Sequence, residues 1–119
     1  MLSEKKFCDL LSEMIRQQGK SHTAFYTELG IKKPYFYDIL KGKANPPPPE
    51  KQFRIIRILK PKPHICEEFF ELAAKERDEM PADLKEFLDS SMRSSLRKKR
   101  EYKKMLNSII KGEKEYERK

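Results

Sequence analysis

The chain contains no valine, and nowhere do apolar and polar residues alternate over a run long enough for a half-buried strand. Little is left from which to build a sheet, so the expected fold class is all-α. No apolar run approaches the roughly 18 residues of a membrane-crossing helix, and the N-terminus lacks an apolar block of signal-peptide kind. A cytoplasmic protein without a membrane partner is expected. Cysteine is also scarce, with only Cys8 and Cys66. Without a secretory signal a disulfide is not expected, and their neighbours Phe7 and Ile65 suggest thiols packed in a core. Cys8, His22, His64 and Cys66 are the only soft metal ligands, and their spacing matches no zinc signature. There is no glycine-rich phosphate loop and no nucleophile pattern around either histidine. Neither catalysis nor a cofactor or metal is expected.

What is present is charge. Of 119 residues 39% are charged and 37% apolar, which suits a small helical core under a heavily charged surface. The net charge of +8 is distributed in blocks. Residues 1–66 hold 13 basic and 6 acidic side chains, residues 67–89 hold 3 and 9, and residues 90–119 hold 11 and 4. The acidic block is either a solvated face or a partner for the basic tail, within the chain or across a dimer. The length suits one domain with an appendage, and we divide it as 1–60 and 61–119.

The most informative stretch is residues 21–42, SHTAFYTELGIKKPYFYDILKG. Ser21 can cap a helix, Gly30 can supply a left-handed residue that ends it, and Ile31 can bury itself in the angle. Pro34 suits the first turn of a second helix. Phe36, Ile39 and Leu40 then form its apolar face, while Tyr35, Tyr37, Asp38 and Lys41 point elsewhere. Tyr35 is expected to pack between helices. Two helices joined by a short glycine turn make the pattern of a helix-turn-helix.

Apolar spacing predicts a helix from about Ser3 to Gln18, then helices over 21–29, 33–41, 50–59 and 64–77. The four prolines Pro46–Pro49 cannot be helical internally and should lie extended as a rigid connector. After Pro81 there is no further proline, and Leu84, Phe87, Leu88, Met92, Leu96, Met105, Leu106, Ile109 and Ile110 keep helical spacing. A helix of ~30 residues would be ~45 Å long, which outreaches a domain of this size. It must break near Ser90–Ser91 or Ser94–Ser95, or pack on another chain. Residues 111–119 are expected to fray.

Residues 7–59 resemble the Cro and lambda-repressor-like (XRE-type) helix-turn-helix domain of phage and bacterial regulators. The resemblance rests on Leu11, Ser21, Leu29-Gly30-Ile31, Tyr35-Phe36-x-Asp38-Ile39, Gly42-Lys43 and the exit Asn45-Pro46-Pro47. It covers about half the chain, and a weaker one continues through residues 72–84. It implies a lambda-repressor-like bundle with additional C-terminal helices, the third helix entering the major groove of DNA. The base-facing positions would be Lys33, Pro34, Tyr37 and Asp38, and the phosphate-side positions His22, Lys41, Lys43 and Asn45. Pro34 stands where many members carry a small polar residue or glutamine. Tyr26 stands where a small alanine is usual, and Ile15 and Leu40 where some members pair an arginine with a glutamate.

The leading expectation is a sequence-specific transcriptional regulator, a repressor of phage or mobile-element type that binds double-stranded DNA as a homodimer. The ladder Leu84, Leu88, Met92, Leu96 would be the dimer seam unless it packs within the chain. A second class is a protein-interaction module, an antitoxin or adaptor whose charged C-terminal blocks grip a protein partner. A third is RNA binding through Arg97-Lys98-Lys99-Arg100 with Tyr102.

Overall fold

Helices account for all the regular structure among the described residues of the computed structural model, which are 5–87 and 100–112. In chain order they are α1 (Phe7–Gln18), α2 (His22–Leu29), α3 (Lys33–Leu40), α4 (Pro49–Leu59), α5 (Pro63–Arg77), α6 (Ala82–Phe87) and α7 (Arg100–Lys111). None is long and apolar enough to cross a membrane.

Proline and glycine punctuate the chain. Pro34, Pro49 and Pro63 sit in the first turns of α3, α4 and α5, where a missing N–H leaves no bond unmade. Proline can therefore open a helix, which is why α4 and α5 start one residue earlier than apolar spacing alone suggests. The start of α1 departs further from expectation. Lys5 and Lys6 are not helical, and the helix opens at Phe7 rather than near Ser3. Two carboxylates define that opening. The Phe7 N–H donates to Glu76 of α5 at 2.8 Å, and the Lys6 N–H donates to Asp9 at 3.2 Å.

One apolar cluster unites the elements. Leu10, Leu11, Met14 and Ile15 of α1 meet Phe25 and Leu29 of α2, Phe36 and Ile39 of α3, and Phe53, Ile55, Ile56 and Leu59 of α4. Phe69, Phe70 and Ala73 of α5 join them, as do Leu84, Tyr102, Leu106 and Ile109. The cluster spans both sides of residue 60. Burying a large apolar side chain contributes roughly 1.5–3 kcal/mol, so such a set supplies most of the drive for folding.

Between α3 and α4, Pro48 has φ −66° and ψ 165°, close to polyproline II. Pro46 and Pro47 are buried. Gln52 donates its amide to the Pro47 carbonyl at 2.9 Å, and Arg77 donates to that of Pro46 at 3.0 Å. The same guanidinium holds both oxygens of Glu79, at 3.0 and 2.9 Å, and keeps that carboxyl below its ordinary pKa.

The C-terminal helices close the bundle from the other side. α7 lies against α4 and α6. The Tyr102 hydroxyl, fully buried, donates to the equally buried Asp83 carboxylate at 2.5 Å. These residues are 19 apart in sequence, ~28 Å along a straight helix, so α6 and α7 are not one continuous rod. The expected breaks at Ser90–Ser91 and Ser94–Ser95 lie outside the described residues, as do Leu88, Met92, Leu96 and residues 113–119. Of the apolar ladder, Leu84 packs within its own chain. Tyr102 is sealed in the core and cannot stack on a base, which removes the one aromatic from the RNA reading. The basic run beside it, Arg97–Lys99, lies outside the described residues.

Cys66 is buried, and its thiol faces the Pro61 carbonyl at 3.7 Å. Burial first, then the charges of Asp83 and Glu67, push its pKa up to about 12. It is therefore a packing residue with little thiolate. Cys8 is only half-buried.

Candidate nucleic-acid interface

The α2–α3 pair is built from local chemistry. Ser21 accepts the Ala24 N–H on its hydroxyl at 3.0 Å, capping α2. Gly30 has φ +84°, a left-handed conformation that a side chain would strain, and its N–H returns to the carbonyls of Tyr26 and Thr27. The Ile31 N–H also returns to Tyr26, at 3.1 Å, and Ile31 packs half-buried on the core. Lys32 then leads into α3.

α3 has two faces. Phe36 and Ile39 are buried, with Leu40 half-buried beside them. Lys33, Pro34, Asp38 and Lys41 are exposed. Tyr35 departs from expectation, since it does not pack between helices. It is 37% exposed, the one large apolar side chain in the open among the described residues. An eight-residue helix anchored through Phe36 and Ile39 turns Tyr35 outward, beside Asp38.

Tyr37 is the joint of the pair. Its hydroxyl lies 3.1 Å from His22 Nδ1, at the first turn of α2. Its ring meets His22 edge-on with centroids 5.7 Å apart, and packs on Phe36 at 4.9 Å. Tyr26 sits 5.3 Å from Phe36 and 6.4 Å from Tyr37. The ring that replaces a small residue in α2 is thus absorbed into an aromatic stack bridging the two helices. Tyr37 is half-buried, and His22, though exposed, is oriented by that hydroxyl. The apolar residues Ile15 and Leu40 both pack against the core.

The turn after α3 folds back on it. The Lys43 and Ala44 N–H groups both donate to the Asp38 carbonyl, at 2.8 and 3.1 Å, with Gly42 at φ +79° between helix and loop. Lys41, Lys43 and Asn45 are exposed there. The sequence-derived set thus divides into two regions. His22, Lys33, Pro34, Tyr37 and Asp38 gather on and beside α3, and Lys41, Lys43 and Asn45 follow at its C-terminal end.

Two cations escape a local reading. Lys51 Nζ and Arg54 Nη1 of α4 stand 3.8 and 3.6 Å from the point where a Cβ on Gly30 would lie. Their i, i+3 spacing puts them on one face of α4, but only the packing of α4 on α2 brings that face over the glycine turn. No sequence signal links residues more than twenty positions apart. Among the described residues, no three histidine, cysteine or carboxylate side chains gather as a metal site. Compared with family models, curated proteins and solved structures, the chain finds no match.

Proposed function

We propose that this chain is a sequence-specific DNA-binding regulator, a repressor acting as a homodimer, whose α3 enters the major groove. The observation that carries the reading is the division of α3. Phe36 and Ile39 anchor it, while Lys33, Pro34, Tyr35, Asp38 and Lys41 face solvent beyond a left-handed glycine turn. Its eight residues measure about 12 Å, comparable to the width of the groove. The resemblance of residues 7–59 to XRE-type domains supports the same reading.

In this arrangement Lys33 donates to guanine O6 and N7, and Asp38 accepts from cytosine N4. Tyr35 offers its ring to a thymine methyl. Pro34 has no donor and contributes shape only. Tyr37, tied to His22, sets the position of α3 rather than reading a base, and His22 is left to meet a phosphate. Lys41, Lys43 and Asn45 hold the backbone at the other end of α3, fixing register without carrying sequence information. A single helix reads few base pairs, so two copies on half-sites about one helical turn apart would supply useful affinity.

The test is fluorescence-anisotropy binding to the DNA upstream of the protein's own gene, beside a scrambled duplex, over a salt series. Preference for the native duplex that survives ~150 mM salt is expected. Equal, steeply salt-sensitive binding to both duplexes would sink the specific reading. The double substitution Lys33→Ala with Tyr35→Ala should abolish the preference and leave the fold intact.

A further inference from the structure

Two cations stand together where no carboxylate among the described residues pairs with them. Lys51 Nζ and Arg54 Nη1, both on half-buried residues, stand 3.8 and 3.6 Å from the point where a Cβ on Gly30 would lie. Among the described residues neither has a carboxylate within bridging distance. Glu50, adjacent to Lys51 and one turn before Arg54, does not reach either of them. Glu28, two residues before Gly30, is held by Lys20 at 3.1 Å. Elsewhere Arg16 is neutralised by Glu13 and Arg77 by Glu79, each through its own carboxylate.

Bringing two like charges together costs Coulomb energy that an anion between them would reverse. The notch has the right form for one. Gly30 is exposed and has no side chain of its own to fill the space that the two heads border. Two charge-assisted bonds of about 2.8 Å, to different oxygens of one tetrahedral anion, bridge a gap of this size. Arg54 supplies the planar fork that suits such an anion, and Lys51 supplies a point charge.

The position selects the source of the anion. Gly30 is three residues before Lys33, at most ~11 Å along the chain. A duplex whose base edges meet Lys33 presents its backbone phosphates about a groove's width away, ~12 Å. We propose that Lys51 and Arg54 form a phosphate-holding notch at the α2–α3 turn that grips the duplex backbone beside the N-terminal end of α3. This proposal rests on the DNA-binding reading above and adds a contact from α4, outside the helix pair.

The paired substitution Lys51→Gln and Arg54→Gln tests it, read by anisotropy over a salt series. Both side chains extend from the surface of α4, and circular dichroism confirms that the variant is folded. The slope of log K against log[salt] should become shallower by roughly one, the share of one phosphate contact. The ratio of affinities for native and scrambled duplexes should stay unchanged, because a phosphate contact carries no sequence information. An unchanged slope in a variant that still binds overturns the notch and leaves the DNA reading standing. If the unsubstituted protein binds neither duplex, the DNA reading fails, and inorganic phosphate then decides the notch alone. Saturable NMR shifts at the Gly30 and Ile31 amides and Arg54 Nε, absent from the variant, would support it as a phosphate site. Their absence from the unsubstituted protein would overturn it.

Discussion

α3 and α7 are both amphipathic helices, and they are used in opposite ways. α3 commits two side chains fully to the core and turns half of its residues to solvent. α7 buries Tyr102, Leu106 and Ile109, with Met105 and Ile110 half-buried, and anchors itself through the Tyr102–Asp83 bond. Its exposed residues include Lys103, Lys104 and Asn107. A helix that seals a core must give up its face to its own chain, whereas a helix that keeps a face for a ligand, as proposed for α3, must be held by few points. The aromatic stack of His22, Tyr26, Phe36 and Tyr37 is how so short a helix is held firmly from one side.

The comparison is sharpest at the buried residues. Tyr102→Ala should cost about 3–5 kcal/mol in urea unfolding, because it opens a cavity and removes a partner from the buried Asp83 carboxylate. Tyr102→Phe keeps the ring and should cost about 1–3 kcal/mol. A loss below 0.5 kcal/mol in both would mean that α7 does not seal the bundle. Alkaline pH gives the next effect. Cys66 in the folded chain holds its proton to about pH 12, whereas an exposed thiol releases it near 9. The unfolded state therefore binds fewer protons over that window. Stability from this group is full below pH 9 and should fall by about 1.4 kcal/mol per pH unit above it, until the folded thiol also ionises. Cys66→Ala should remove that portion of the slope. At neutral pH a thiol reagent should label Cys8 well before Cys66.

On α3 the effects on stability should be smaller. Tyr37→Phe removes the bond to His22 and should cost about 0.5–1.5 kcal/mol, less than the loss at Tyr102. It should also weaken duplex binding by loosening α3 against α2. A Tyr37→Phe variant that matches the parent in both assays would show that ring packing alone sets the helix. The smallest effect is expected at Asp78, a non-glycine residue at φ +58° that ends α5. Asp78→Gly should raise stability by about 0.5–1 kcal/mol, with duplex binding unchanged.

Much of the α1–α5 framework was legible because its signals are local. Ser21, Gly30 and Pro34 act within a turn of themselves, and the spacing of Phe36 and Ile39 names the inner face of α3. The exposure of Tyr35 was not legible, since its neighbour Phe36 is equally aromatic and an eight-residue helix gives periodicity little to work with. Other misses involve contacts between distant residues. Glu76 reads as one more surface acid, yet it opens α1 from 69 positions away. Asp83 belongs by composition to an acidic block that reads equally as a solvated face or as a partner for the basic tail, and its burial against Tyr102 shows only in the fold. Lys51 and Arg54 pass as the outer face of α4 until α2 is packed beside them.

The bond between Glu76 and the head of α1 also bears on how the protein is made. A ribosome completes α3 about 60 residues before it begins α7, several seconds at ordinary elongation rates. The head of α1 lacks its acceptor until α5 is made, and α4 lacks the cover of α7 for the whole interval, although the residues proposed to read DNA have already been synthesised. The nascent chain thus carries α3, already backed by α1 and α2, before the bundle around it is sealed. Closure of the bundle is timed by the emergence of α7.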